Sequence, residues 1–224
     1  MTLETITASL ANGYKQLKPD TFQTSAELTT ERRTNTELRD RWLYTANFAM
    51  YIVENGEAVL YFGGREANPI LKNIDEACAQ LLAANTYRVK EEDRQAVIES
   101  VESKHTLRIE LSKLFLIKLN NETAYFEIDT SNYNQLNTAQ RAFAERVYGA
   151  GNDFVQNMDM LKKAGKTRVR VYVLNHDYVK EHVLGGEAVA RACWLDNFGN
   201  YSDFSAFGWS VNYDRGLRGV LKVD

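Results

Sequence analysis

The sequence predicts one α+β domain, and three observations carry that expectation. Two apolar runs in "NFAMYIVENGEAVLYFGGR" flank Glu54-Asn55-Gly56, and Asn-Gly between such runs marks a β-hairpin. Segments of helical spacing follow, with Ile74, Ala77, Cys78, Leu81 and Leu82 on one face of "NIDEACAQLLAANTY". No internal repeat or low-complexity linker divides the 224 residues, a length sufficient to bury a substantial single core.

Taken in order, residues 1–40 are polar and Thr-rich, and they form an N-terminal segment with an amphipathic helix through Ile6, Leu10, Tyr14 and Leu17 that serves packing or oligomerisation. The domain proper is expected over 41–224. Strands are predicted near 47–53 and 57–62, the second ended by Gly63-Gly64, with helices at 74–82 and around Arg94 to Val101. "HTLRIELSKLFLIKLNNETAYFEID" returns to β character, with Asn120-Asn121 as the turn. Helices are predicted at 137–147 and 151–163, an alternating half-buried strand at 167–174 in "TRVRVYVL", and a short helix in "DYVKEHVL".

Charge and composition narrow the function. A net charge of −3 and a pI near 5.7 lack the basic footprint that phosphate neutralisation requires, so no nucleic-acid partner is expected. The start "MTLETITASLANGYKQLKPD" has neither the basic opening nor the apolar core of a signal peptide, and no stretch reaches the roughly 20 apolar residues of a membrane span. Cys78 and Cys193 are too few for a disulfide framework or a four-cysteine zinc site. Cytoplasmic synthesis follows, and a virion component fits the same features.

Candidate chemistry is sparse. "AGKT" at 164–167 resembles the end of a phosphate loop, but Met160 stands where that motif needs glycine, and the order is helix, loop, strand. His176 and His182 are rotated by about 240° on a helix and cannot share an ion, which leaves them and Glu181 on a solvated face. Glu127 and Asp129 share one strand face, either as an acid pair or cation site, or as the polar side opposite Phe126 and Ile128. Ser202 and Ser205 lack a nearby histidine, and Cys193 lacks an activating base. The expectation is a non-catalytic protein with no catalytic residues, cofactor or metal.

The C-terminal stretch "RACWLDNFGNYSDFSAFGWSVNYDRGLRGV", residues 191–220, is different in kind. It is loaded with Asn, Asp, Tyr, Ser, Gly, Phe and Trp, the vocabulary of antibody paratopes, in which aromatics give contact area and small polar residues give adaptable hydrogen bonds. Asp196, Asn197, Asn200, Asp203, Asn212 and Asp214 argue against a core role, since each would need a buried partner. Leu195, Phe198, Phe204, Ala206, Val211 and Leu217 form an apolar skeleton beneath them.

The pattern "ARAxxLxxFxxxSxFxAxxxxVxxxxxLRGV", with "YVLNHDYVKEH" upstream and "LYFGGR" near the first hairpin, resembles the variable proteins of diversity-generating retroelements. That resemblance implies a C-type lectin-like fold of short irregular strands and a few helices. It also implies a face at about 191–220 rewritten by reverse transcription with errors at adenines, and a ligand that is a protein or cell-surface receptor. Asn codons changed at their first two adenines reach Asp, Tyr, Ser, Gly, Phe and Cys but never a stop codon. Asp196, Asn197, Gly199, Asn200, Tyr201, Asp203, Ser205, Phe207, Gly208, Ser210, Asn212, Tyr213 and Asp214 fall within the reachable set. Trp194 and Trp209 fall outside it, because Trp needs a final G.

With Cys193, these positions form the expected exposed ligand-binding face, and Trp194, Tyr201, Phe207, Trp209 and Tyr213 are its expected anchors, since hot spots favour large aromatics. Two other readings remain at this level. One is a metal oxidase of the formylglycine-generating type on the same fold, and the other is a structural virion or assembly protein. The sequence leaves the ligand, the oligomeric state and the source open.

Overall fold

The fold is organised by a hairpin that folds where Asn55 and Gly56 both take positive φ, 50° and 80°, the geometry of a type I′ turn. In the computed structural model, which describes residues 21–38, 43–196 and 203–207, this turn joins β1 (Leu43–Glu54) to β2 (Glu57–Gly63). Both strands run longer than predicted, because pairing on both flanks of β1 recruits residues that periodicity alone did not select.

The remaining strands are β3 (Tyr87–Arg88), β4 (Thr106–Glu110), β5 (Ile117–Lys118), β6 (Thr123–Asp129), β7 (Arg168–Leu174), β8 (Ala188–Leu195) and β9 (Phe204–Ser205). Among the described residues they form one mixed sheet in the order β4-β2-β1-β8-β9-β7-β6-β5, with β3 on a second edge of β8. The helices are α1 (Ser25–Glu31), α2 (Pro69–Lys72), α3 (Ile74–Ala84), α4 (Glu91–Glu99), α5 (Thr138–Tyr148), α6 (Asn152–Lys163) and α7 (His176–His182). The predicted helices match α3 to α7 with end shifts of up to three residues, whereas α1 and α2 have no predicted counterpart. Asn120 supplies the predicted turn before β6 by accepting from the backbone N–H groups of Glu122 and Thr123. "LSKLFL" does not continue β4. Leu111 and Leu114 are both buried at a spacing of three, which suits the 3-10 turn Leu111–Leu114.

Strand alternation divides the core into two clusters. One face carries Tyr51, Phe126, Val171, Leu195 and Phe204 against Phe143, Val147, Phe154 and Leu161 of α5 and α6. The other carries Phe48, Met50, Ala190, Ala192 and Trp194 against Ile70, Leu81 and Val97 of α2 to α4. β1 is buried along most of its length because it lies between the two layers.

The boundary expected near residue 40 does not separate packing units. α1 is held by a capping box of Thr24 and Glu27, Leu28 is fully buried in the first cluster, and the Ser25 N–H donates to Asn47 Oδ1 at 2.7 Å. The helix expected through Ile6, Leu10, Tyr14 and Leu17 lies outside the described residues.

"LYFGGR" gains a physical meaning here. A Cβ at Gly63 would stand 2.7 Å from the Phe48 ring and 2.8 Å from Thr106 Oγ1, so only glycine lets β1 and β4 close on β2. Arg65 then reaches Glu27 with both terminal nitrogens, at 2.7 and 2.9 Å, and donates to the Phe22 carbonyl at 2.8 Å, which ties α1 to the hairpin. Gly63→Ala is expected to cost about 1–3 kcal/mol in urea unfolding, whereas Gly185→Ala, with open space around its Cβ, should stay within about 0.5 kcal/mol.

Candidate functional site

The C-terminal stretch enters the fold through β8 and β9. β8 pairs antiparallel with β1, and β9 pairs antiparallel with β8 and parallel with β7. Two residues therefore join the half-sheet β4-β2-β1-β8 to the half-sheet β7-β6-β5. Side chains reinforce so short a seam. The Tyr51 hydroxyl donates to the Ala206 carbonyl at 2.9 Å and accepts from the Leu174 N–H at 3.2 Å, while the Ala206 N–H donates to the Tyr172 carbonyl at 2.9 Å. Burial pushes the Tyr51 phenol far above its usual range, which keeps the proton that this bridge needs.

The described residues on either side of 197–202 are pinned together at this seam: the Asp196 N–H donates to the Asp203 carbonyl at 2.9 Å. Asp203 Oδ1 accepts from the Arg170 N–H at 2.8 Å. On the other side Arg32, almost fully buried, donates to the Asp196 carbonyl at 3.0 Å and to the Leu38 carbonyl at 3.1 Å.

The expected binding residues divide sharply. Asn197, Gly199, Asn200, Tyr201, Gly208, Trp209, Ser210, Asn212, Tyr213 and Asp214 lie outside the described residues, as do the skeleton residues Phe198, Val211 and Leu217. Leu195, Phe204 and Ala206 are fully buried in the first core cluster, as the skeleton reading expects. Cys193, Trp194, Asp203, Ser205 and Phe207, expected to be exposed, are buried, and Asp196 is half-buried.

Register explains this correction. Tyr44, Trp194, Ser205, Tyr172 and Tyr125 are successive cross-strand partners in one row over β1, β8, β9, β7 and β6, and cross-strand partners share a face. Ser205 is the small member. Phe207 folds back over this gap, with its centroid 5.7 Å from Trp194 and 6.0 Å from Tyr172. Tyr44 closes the row against Trp194 at 6.4 Å. Cys193 points to the opposite face, where burial raises its thiol well above the usual value.

Sequence reasoning missed the outer end of the row. Tyr125 and Tyr172 are half-buried, 5.4 Å apart. The Arg170 guanidinium lies 5.0 Å above the Tyr125 ring and donates to Glu127 at 3.0 Å and to the Tyr172 hydroxyl at 3.3 Å. The alternation in "TRVRVYVL" and "TAYFEID" places these residues outward, but which strands flank β9 is not written in either segment. Glu127 is thus occupied by Arg170 and Arg168, and Asp129 Oδ1 accepts from the Ser131 N–H in the following turn, so the two serve separate local roles.

His176 contacts Glu57 at 3.1 Å and Asp177 at 3.0 Å, whereas His182 stacks on Tyr178. Among the described residues no group of three or more His, Cys, Asp or Glu is placed to hold a metal ion. Cys78 and Cys193 are buried in opposite core clusters. Among the same residues no helix is long and apolar enough to cross a membrane.

A curled mixed sheet, stitched at its centre by a two-residue strand and covered by helices on both faces, is here a C-type lectin fold. The chain is similar to a solved structure described as the accommodation of massive sequence variation in Nanoarchaeota by the C-type lectin fold, with a TM-score of 0.61 and 12% identity over 90% of this chain and 88% of that one. No family model matches the chain, and neither does any curated protein.

Two outcomes follow from the seam. Trp194→Ala and Phe207→Ala should each cost about 3–5 kcal/mol in chemical unfolding, as for large aromatics removed from cores. Burial foremost, with the Asp196 charge adding and Arg170 opposing, pushes the Asp203 carboxyl up from 3.8 to about 6. Between these values the folded protein holds a proton that the unfolded chain has released, so this contribution to stability is complete below pH 3.8 and lost as pH rises through about 6. Asp203→Asn, which keeps an acceptor for the Arg170 N–H, should flatten that part of the pH–stability curve by up to about 3 kcal/mol.

Proposed function

We propose that this chain is a non-catalytic ligand-binding protein whose contact residues lie in 197–202 and 208–214. The observation that carries the reading is the pinning of Asp196 to Asp203 at the seam. Side chains between two such fixed points can change without altering the core that holds them, which is what a diversified surface requires. The half-buried border of Tyr125, Arg170 and Tyr172 stands beside Phe207, at the last described position before the second segment. It offers aromatic and cationic contacts outside the two proposed contact segments, the residue types that hot spots favour.

The similar structure's description in terms of massive sequence variation supports this reading at the level of the fold. Diversification by adenine-directed retroelement mutagenesis, and a protein or cell-surface receptor as ligand, belong to the same proposal. In it, Tyr201, Trp209 and Tyr213 are the energetic anchors, while Trp194 and Phe207 belong to the scaffold.

Genomic DNA near the codons for 191–220 should contain a near-copy of that segment whose mismatches fall at adenines, beside a reverse-transcriptase gene. A complete genome without such a copy sinks active diversification. Independently, a library randomised at Asn197, Gly199, Asn200, Tyr201, Trp209, Ser210, Asn212, Tyr213 and Asp214 should yield mostly folded members with melting temperatures within a few degrees of the parent, and should contain binders to unrelated proteins. Widespread unfolding would mean that these positions support the core instead.

A further inference from the structure

Away from the seam, Phe115 occupies a costly position. It caps the 3-10 turn Leu111–Leu114 in the left-handed region, φ 46°, where glycine is the ordinary choice, and its ring is 74% exposed. Ile117 on β5, the last strand of the sheet, and Leu119 just after it are 49% and 56% exposed. Local strain that sets an apolar ring into water points to a contact made outside the chain.

Beside Phe115 lies an open groove of about 530 Å³, between β4 and the start of α5. Leu107, Ile109, Ala139 and Ala142 give it an apolar floor, and Thr138 stands at its rim. Arg108, Glu110 and Lys113 also line it. Arg108 is held by Glu54 at 2.7 Å and stands 3.7 Å from Glu110, which leaves Lys113, among the described residues, as the cation without an ion pair within the patch. Phe115 borders this groove yet keeps its ring largely in solvent, so its own chain does not use the ring to fill the groove.

We propose that this face joins two copies of the chain in a twofold dimer, with Phe115 of each copy seated in the groove of the other. A twofold interface requires one patch to be complementary to itself. This patch carries projection and recess side by side, and it carries an acid and a base that the twofold brings into opposition, Lys113 of each copy against Glu110 of the other. Such self-complementarity favours a second copy over an unrelated protein. Lys118 on the open edge of β5 opposes continued strand addition, which limits the assembly to a closed pair. The face involves β4, β5 and α5, not the β8–β9 seam, so the inference stands apart from the proposed ligand-binding role.

Sedimentation velocity of the full chain from about 1 to about 100 µM, the range that reads a micromolar association, tests it. The unaltered chain should shift from monomer to dimer. Phe115→Asp and Thr138→Trp, both at exposed positions, should each weaken association at least about tenfold without moving the melting temperature. An equimolar mixture of the two should regain association, because it restores one of the two ring-in-groove contacts. If Thr138→Trp perturbs folding, Lys113→Glu replaces it, and Glu110→Lys in the same chain should rescue the loss. A monomer across the range, a dimer indifferent to these substitutions, or open-ended growth would each overturn the proposal.

Discussion

The structure depends on a single phenol. Tyr51 projects from the central strand β1 and its hydroxyl joins the Leu174 N–H of β7 to the Ala206 carbonyl just beyond β9. β9 contributes only Phe204 and Ser205 to the sheet, too short a strand to hold two half-sheets by ladder bonds alone. The phenol supplies the missing cross-link in a fully buried setting, where a satisfied hydrogen bond is worth keeping and an orphaned one is expensive. An unsatisfied carbonyl at Ala206 would sit next to Phe207, whose ring packs on Trp194 and Tyr172.

The same seam explains how a polar, aromatic stretch can be interior and yet border a surface. Along β8 and β9, Cys193, Leu195 and Phe204 face the α5–α6 layer, whereas Trp194 and Ser205 face the other side. On that side β1, β2 and β8 are covered by α2 to α4, but β6 and β7 present Tyr125, Arg170 and Tyr172 half-buried. The row of rings from Tyr44 to Tyr125 thus runs from packed core to open face across one sheet. Buried Asp203 fits this gradient because the Arg170 backbone N–H meets its carboxyl.

Rigidity at the seam is matched at the hairpin. Gly63 permits β1, β2 and β4 to close, and Arg65 ties α1 against them, so that Arg32 at the end of α1 reaches the Asp196 carbonyl. Residues 21–38 therefore help to position Asp196, 164 residues beyond Arg32. Such long-range ties hold Asp196 and Asp203 in place independently of the residues between them.

Much of this was legible in the chain itself. Asn55-Gly56 specifies its hairpin because only a positive φ at both residues matches the twist of paired strands, and helical spacing placed α3, α5 and α6 within a residue or two of their ends. The aromatic and Asn-rich character of 191–220 marked that stretch as special, and its skeleton of Leu195, Phe204 and Ala206 as inward. What composition could not say is which of its polar and aromatic residues face inward as well. Trp194, Ser205 and Phe207 look like paratope residues by type, yet their burial is decided by register with Tyr44 and Tyr172, which are distant in sequence. Local sequence determines backbone preference and periodicity, whereas the pairing of β9 with β8 and β7, and with it the border between scaffold and surface, exists only once non-local strands meet.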